Sequence, residues 1–177
     1  YFLTLEGLKV LVLDANHSAG QGDNKAAIGG VRATHSDGAK ITLCLQSLEF
    51  YSTFEEREGI DLGWVPGGYS FPAYRDVEES ILKGLLPTQK SYGLKIDWFG
   101  PDDIEQLIPG INKTGLRGGT FSPGDGQASP LKAAAALWKK SKERGAEYHF
   151  VEPVTGLLKK AGRIQGVKTT KGTYYSD

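Results

Sequence analysis

Residues 118–130, Gly-Gly-Thr-Phe-Ser-Pro-Gly-Asp-Gly-Gln-Ala-Ser-Pro, run directly into Leu131-Lys-Ala-Ala-Ala-Ala-Leu-Trp138, and this junction constrains the fold more than any other stretch. Gly-Gly, Pro-Gly and Asp-Gly punctuate a tight reversal, Ser129 is suited to cap a helix, and Pro130 is shaped for its first position. We therefore expect a loop that delivers the chain onto a new helix. Turn chemistry of this kind is common in soluble domains, so the junction takes its meaning from the other segments.

Leu8 to Leu13 is a short, mostly apolar run ending on Asp14, with a loop behind it. Such a run fits a buried parallel strand. In dinucleotide-binding folds an acid at the end of the second strand accepts hydrogen bonds from a ribose, while the first strand-to-helix turn carries a glycine-rich pyrophosphate loop. Here the chain opens at Tyr1-Phe-Leu-Thr-Leu-Glu-Gly7, which reads as the closing turns of a helix with Gly7 as terminator. No Gly-x-Gly-x-x-Gly stands ahead of Asp14 and the chain has no methionine, so we expect it to be part of a longer protein, truncated at both ends. A third stretch, Gly20-Gln-Gly-Asp-Asn-Lys-Ala-Ala-Ile-Gly-Gly-Val-Arg32, supplies glycines that let backbone amides approach an anion or a flat ring.

Taken in order, Asp14, Gly20–Arg32 and Gly118–Pro130 resemble the D-amino-acid oxidase superfamily of FAD-dependent oxidoreductases, in its sarcosine oxidase, glycine oxidase and proline dehydrogenase branch. The resemblance runs from the strand ending at Asp14 to the hairpin 156–175 and is thinnest between Asp61 and Ile111. It implies an α/β fold: a Rossmann-like FAD-binding domain, discontinuous and incomplete, over 1–60 and 112–177, and part of an inserted α+β substrate domain over 61–111. An antiparallel β-meander closes the chain.

By the same resemblance Asp14, with Ala15, holds the adenosine ribose. Gly22, Asp23, Asn24, Gly29 and Gly30 lie along the pyrophosphate and isoalloxazine, and the backbone of Val154 holds the adenine. Asp23-Asn24 departs from the Ser-Thr pair common in relatives, and a carboxylate beside a pyrophosphate is unfavourable unless it caps a helix or meets Lys25. Branches that attach the flavin through histidine need one near Ala26, so bound FAD is expected to be noncovalent. Lys25 and Arg32 are the only candidates for a cation near the flavin, against a structural ion pair for each, and no catalytic base is identified. The implied chemistry is oxidation of the C–N bond of a small amino acid or secondary amine by hydride transfer to flavin N5. A nicotinamide-dependent dehydrogenase and a noncatalytic subunit that keeps the flavin fold are the alternatives.

Composition narrows the partners. The 21 basic and 21 acidic residues cancel, which removes the electrostatic case for nucleic acid or an anionic membrane surface. A peripheral membrane or electron-acceptor partner and an oligomer stay open as partners beside the amino acid or amine substrate. One cysteine, Cys44, excludes an internal disulfide and points to a reducing, cytoplasmic setting; its place at helical spacing with Ile41, Leu45 and Leu48 makes it a small buried hydrophobe. His17, His35 and His149 are scattered, so no metal site is expected.

The spacing predicts helices over 38–58, 76–92 and 101–108, strands with a turn over 62–74, and a strand over 94–99. It also predicts a helix from Pro130 ended by Gly145, a strand over 146–151, and the meander through Asp177.

Overall fold

The structure is a computed structural model and describes residues 1–176. In chain order the first elements are α1 (Phe2–Leu5), β1 (Leu11–Leu13), β2 (Gly30–Val31), α2 (Gly38–Glu58), β3 (Val65–Pro66) and β4 (Tyr69–Ala73). Next come α3 (Asp76–Ser91), β5 (Asp97–Phe99), α4 (Pro101–Leu107), β6 (Gly118–Ser122), β7 (Gly126–Gln127) and α5 (Pro130–Glu143). The chain closes with β8 (Glu147–His149), β9 (Val154–Lys160), β10 (Arg163–Thr169) and β11 (Thr173–Tyr175). The mixed α/β chain divides into two compact units, Tyr1–Ile28 with Pro130–Asp177, and Gly29–Ser129. No helix of the described residues is long and apolar enough to cross a membrane.

In the first unit β1 and β8 pair in parallel, Leu11 with Glu147 and Leu13 with His149. Only three residues of the predicted 8–13 strand belong to the ladder, because the Leu8 N–H is spent on the Leu3 carbonyl, beside the left-handed Gly7 that ends α1. α5 begins at Pro130 and ends at left-handed Gly145, as the punctuation requires. It packs on β8 through Trp138, whose ring meets Tyr148 and Phe150 edge-on, and through buried Ser141, whose hydroxyl lies 2.6 Å from that of Tyr148. β9, β10 and β11 form the expected antiparallel meander, with Ala161 and Gly162 both left-handed in the tight first turn. Asp177, the last residue assigned to it, lies outside the described residues.

In the second unit α2 has the predicted bounds, with the Asp37 carboxylate accepting from the Lys40 N–H at its start and left-handed Gly59 at its end. Its buried Ile41 and Leu48 pack with Ala33, Leu94 and Ile96, and Cys44 lies half-buried against this core. Two small antiparallel sheets complete the unit, ordered β4-β6-β5 and β2-β7-β3. The strands predicted over 62–74 are therefore not partners of each other: β3 pairs with β7, and β4 with β6.

The expected loop over 118–130 is corrected more substantially. Gly118 to Ser122 is the central strand of its sheet, and only residues 123–125 turn. Glycine stands there for close approach and not for reversal. A Cβ on Gly118 would lie 2.3 Å from the Phe99 carbonyl oxygen, and one on Gly119 2.8 Å from that of Phe71.

Asp125 follows, fully buried, its two carboxylate oxygens accepting from the Ala33 N–H at 3.0 Å and the Thr34 hydroxyl at 2.7 Å. It fixes the segment that leads from β2 into α2. Asp125→Ala leaves two buried donors without an acceptor and should cost about 3 kcal/mol, read as a lower urea midpoint. Gly118→Ala adds a Cβ clash to a φ of +129°. It should destabilise by about 2–4 kcal/mol in the same assay.

Candidate functional site

The carboxyl ends of parallel strands are where open α/β sheets bind ligands, because the chain leaves each strand there and exposes backbone groups. At this end of the β1–β8 pair three backbone hydrogen bonds join the two exits. The Asp14 N–H donates to the His149 carbonyl at 3.0 Å, the Glu152 N–H to the Asp14 carbonyl at 2.9 Å, and the Val151 N–H to the Asn16 carbonyl at 2.9 Å. Val151 takes a left-handed φ of 54°, unusual for a β-branched residue, to make this turn.

Asp14 is half-buried, and its Oδ1 accepts from both the backbone N–H of Asn16 at 2.8 Å and the Asn16 side-chain amide at 3.1 Å. This Asx turn sets the carboxylate's orientation. Among the described residues its Oδ2 accepts no hydrogen bond. Ala15 is exposed beside it, and Val154, also exposed, opens β9 just past Glu152.

Gly22 to Asn24 lies in the same unit, where Gly22 precedes a single 3-10 turn over Asp23–Ala26. The Asn24 amide donates to the Pro130 carbonyl at 2.8 Å, which anchors this turn to the first residue of α5. Gly20 is held close by the same helix, since a Cβ there would come within 2.9 Å of the Ala134 methyl. A Cβ on Gly22 would meet nothing within 4 Å, so its backbone is open to a ligand. Asp23 stands in the first turn of this short helix, and Lys25 in its last, both exposed.

Gly29, Gly30 and Arg32 fall in the second unit, described by itself. Gly29 is left-handed, and Gly30 lies where a Cβ would come within 3.3 Å of the Tyr69 ring. The Arg32 guanidinium lies over the Tyr69 and Phe71 rings, 5.6 and 5.2 Å from their centres, and donates to the Thr34 carbonyl. Arg32 is thus held in place by stacking, where the sequence offered a choice between a free cation and an ion pair. Burial first, then the charges of Arg32 and Lys40, lower the His35 pKa and favour its neutral ring.

Two buried acids, one in each unit, escaped the sequence reading. Asp125 looked like turn punctuation, although the Pro-Gly-Asp-Gly context is one in which a short carboxylate can turn inward onto backbone N–H groups. Glu152 carried no motif, yet it is buried and accepts from the Thr169 hydroxyl at 2.7 Å and the Tyr174 hydroxyl at 2.8 Å. The Thr169 bond, with lesser help from Tyr174, Lys171 and His149, holds the Glu152 carboxyl below the ordinary glutamate pKa against the opposing effect of burial. The same carboxylate raises the Tyr174 pKa.

The family of FAD dependent oxidoreductases related to D-amino-acid oxidase matches residues 1–176. The chain is 29% identical over 136 residues to the sarcosine oxidase subunit beta of Arthrobacter sp, covering 74% of this chain and 31% of that protein. It is 23% identical over 172 residues to the pyruvate dehydrogenase phosphatase regulatory subunit of Mus musculus, covering 97% of this chain and 20% of that one. The crystal structure of L-proline dehydrogenase from P. horikoshii superposes with a TM-score of 0.91 at 27% identity, over 98% of this chain and 46% of that chain. The chain therefore spans less than half the length of these relatives, and by its match over residues 1–176 it belongs to the FAD-dependent oxidoreductase family.

Proposed function

We propose that this chain is the FAD-holding portion of an enzyme that oxidises the C–N bond of a small amino acid or secondary amine, with sarcosine, glycine and proline as the first substrates to test. The observation that carries this reading is Asp14. Its carboxylate stands at the carboxyl end of a parallel strand pair, oriented through Oδ1 and open at Oδ2, beside an exposed stretch of backbone. A carboxylate so placed fits a pair of ribose hydroxyls, which are donors. The open backbone around Gly22 fits an anion, and Ala15, Asp23, Asn24 and Val154 are the further residues of this unit we assign to the cofactor.

In the second unit Gly29 and Gly30 place no side chain on the stretch before Arg32. The Arg32 guanidinium, held against two aromatic rings, keeps its charge available at little entropic cost and serves best to orient a carboxylate. Lys25, exposed and near the pyrophosphate positions in sequence, answers the phosphate charge. When bound, FAD supplies acceptance of a hydride at N5 from the carbon beside the substrate nitrogen, leaving an imine that water hydrolyses. Alanine at position 26 cannot attach a flavin, so the cofactor is held by noncovalent contacts in this stretch.

The likeness to a regulatory subunit of a phosphatase favours one second reading, a flavin-fold subunit without turnover. The family match itself weighs against a nicotinamide enzyme.

The full-length protein, stripped of flavin and titrated with FAD, should quench flavin fluorescence at saturation with one FAD per chain. Asp14→Ala should weaken binding about 10- to 100-fold, the loss of hydrogen bonds to a charged acceptor. No binding by the unaltered protein overturns the proposal. Flavin bound but idle with sarcosine, glycine, proline and D-alanine, a dye serving as acceptor, selects the subunit reading.

A further inference from the structure

Glu152 ties the meander to the Asp14 turn. Glu152 leaves the turn after β8 with its N–H on the Asp14 carbonyl, while its carboxylate, 2% of the residue exposed, is directed into the opposite neighbourhood. There Oε1 accepts from Thr169 at the end of β10 and from Tyr174 in β11, and Oε2 lies 3.4 Å from the His149 Nδ1. Thr169 is itself fixed by the turn it opens: its hydroxyl accepts from the Lys171 and Gly172 N–H groups. The Lys171 ammonium reaches the Phe150 carbonyl at 3.4 Å from the same turn. His149 extends the chain of contacts, its Nδ1 3.1 Å from the Tyr174 hydroxyl and its Nε2 2.7 Å from the Glu147 carboxylate.

The Glu152 carboxylate is buried among these groups, while Glu152 itself lies outside the ladders of β9, β10 and β11, which pair through their own backbones. A buried ionised acceptor with hydroxyl donors from two different strands is an expensive way to hold a hairpin that already holds itself. What the arrangement does constrain is the backbone at 150–154. That segment includes the left-handed Val151, whose N–H donates to the Asn16 carbonyl, the Glu152 N–H bonded to the Asp14 carbonyl, and Val154, which registers opposite Thr169.

We propose that Glu152 is a positioning residue for the nucleotide half of the cofactor. Clamped by Thr169 and Tyr174, it holds the Asp14–Asn16 turn and the Val154 backbone in the one spacing that receives an adenosine; this rests on the reading that FAD lies there. Loss of the carboxylate frees both hydroxyls, lets the strained Val151 relax, and releases the Asp14 carbonyl from its donor. The cofactor then meets the same residues in the wrong geometry.

The test is FAD affinity of the full-length apoprotein, measured by quenching of flavin fluorescence, together with the apoprotein melting temperature. Glu152→Leu should weaken FAD binding about tenfold or more. Glu152→Gln, which keeps an acceptor for both hydroxyls, should stay within about threefold of the unaltered protein. If Glu152→Leu does not fold, the Thr169→Val, Tyr174→Phe pair removes the clamp with the carboxylate left in place, and about a three- to tenfold loss is expected. A lower melting temperature with unaltered FAD affinity in whichever of these variants folds would make Glu152 a brace of the fold and overturn the proposal. Equal losses in Glu152→Leu and Glu152→Gln would overturn it too. An unaltered protein that binds no FAD brings down the FAD reading and this inference together, whereas normal binding by that protein and by the variants brings down this inference alone.

Discussion

The hydrogen bond from the Glu152 N–H to the Asp14 carbonyl joins two segments from opposite ends of the sequence, and the rest of the first unit is arranged around it. β1 and β8 are three residues long, too short to hold a parallel pair by ladder bonds alone. α5 therefore covers β8 with Trp138 and Ser141, and the meander grips the strand exit through a buried carboxylate. The outcome is an Asp14 whose backbone is held by the exit of β8 and whose carboxylate is oriented by Asn16. That is the condition under which a side chain can select a ligand at little reorganisation cost.

The second unit solves a different problem by removing side chains. Gly118, Gly119 and Gly126 sit where a Cβ would strike backbone oxygen, so strands of two small sheets pack closely. Asp125, between those strands, then spends its charge on Ala33 and Thr34 and so fixes the start of the segment before α2. Arg32, just before it, is aligned by Tyr69 and Phe71 from β4. A cation held by aromatic faces remains able to bind an anion, whereas one neutralised by a carboxylate is largely spent.

Much of this was readable in the sequence wherever a local rule governs. α2 has its predicted bounds because Asp37 and Gly59 are strong start and stop signals, and Gly145 ends α5 for the same reason. The meander is announced by Ala161-Gly162 and Lys171-Gly172. Long-range packing hid the remainder. Glycines at 118 and 119 look identical whether they turn a chain or admit a neighbouring strand, and only the contacts of β4 and β5 tell the two apart. Asn24, expected along the cofactor, also anchors its turn to α5, a partner far away in sequence. Asp14 stood out because its setting, an apolar run ending on an acid, is local. Glu152 did not, because its partners lie in β10 and β11 and its own neighbours carry no pattern.

The central claim is that the Asp14 carboxylate grips the sugar of a bound dinucleotide. A crystal structure of the full-length protein with FAD tests it most directly. The account predicts both ribose hydroxyls of the adenosine within hydrogen-bond distance of Asp14, with the Glu152–Asp14 backbone bond intact. A dinucleotide seated elsewhere, with the Asp14 carboxylate facing only solvent, would contradict it.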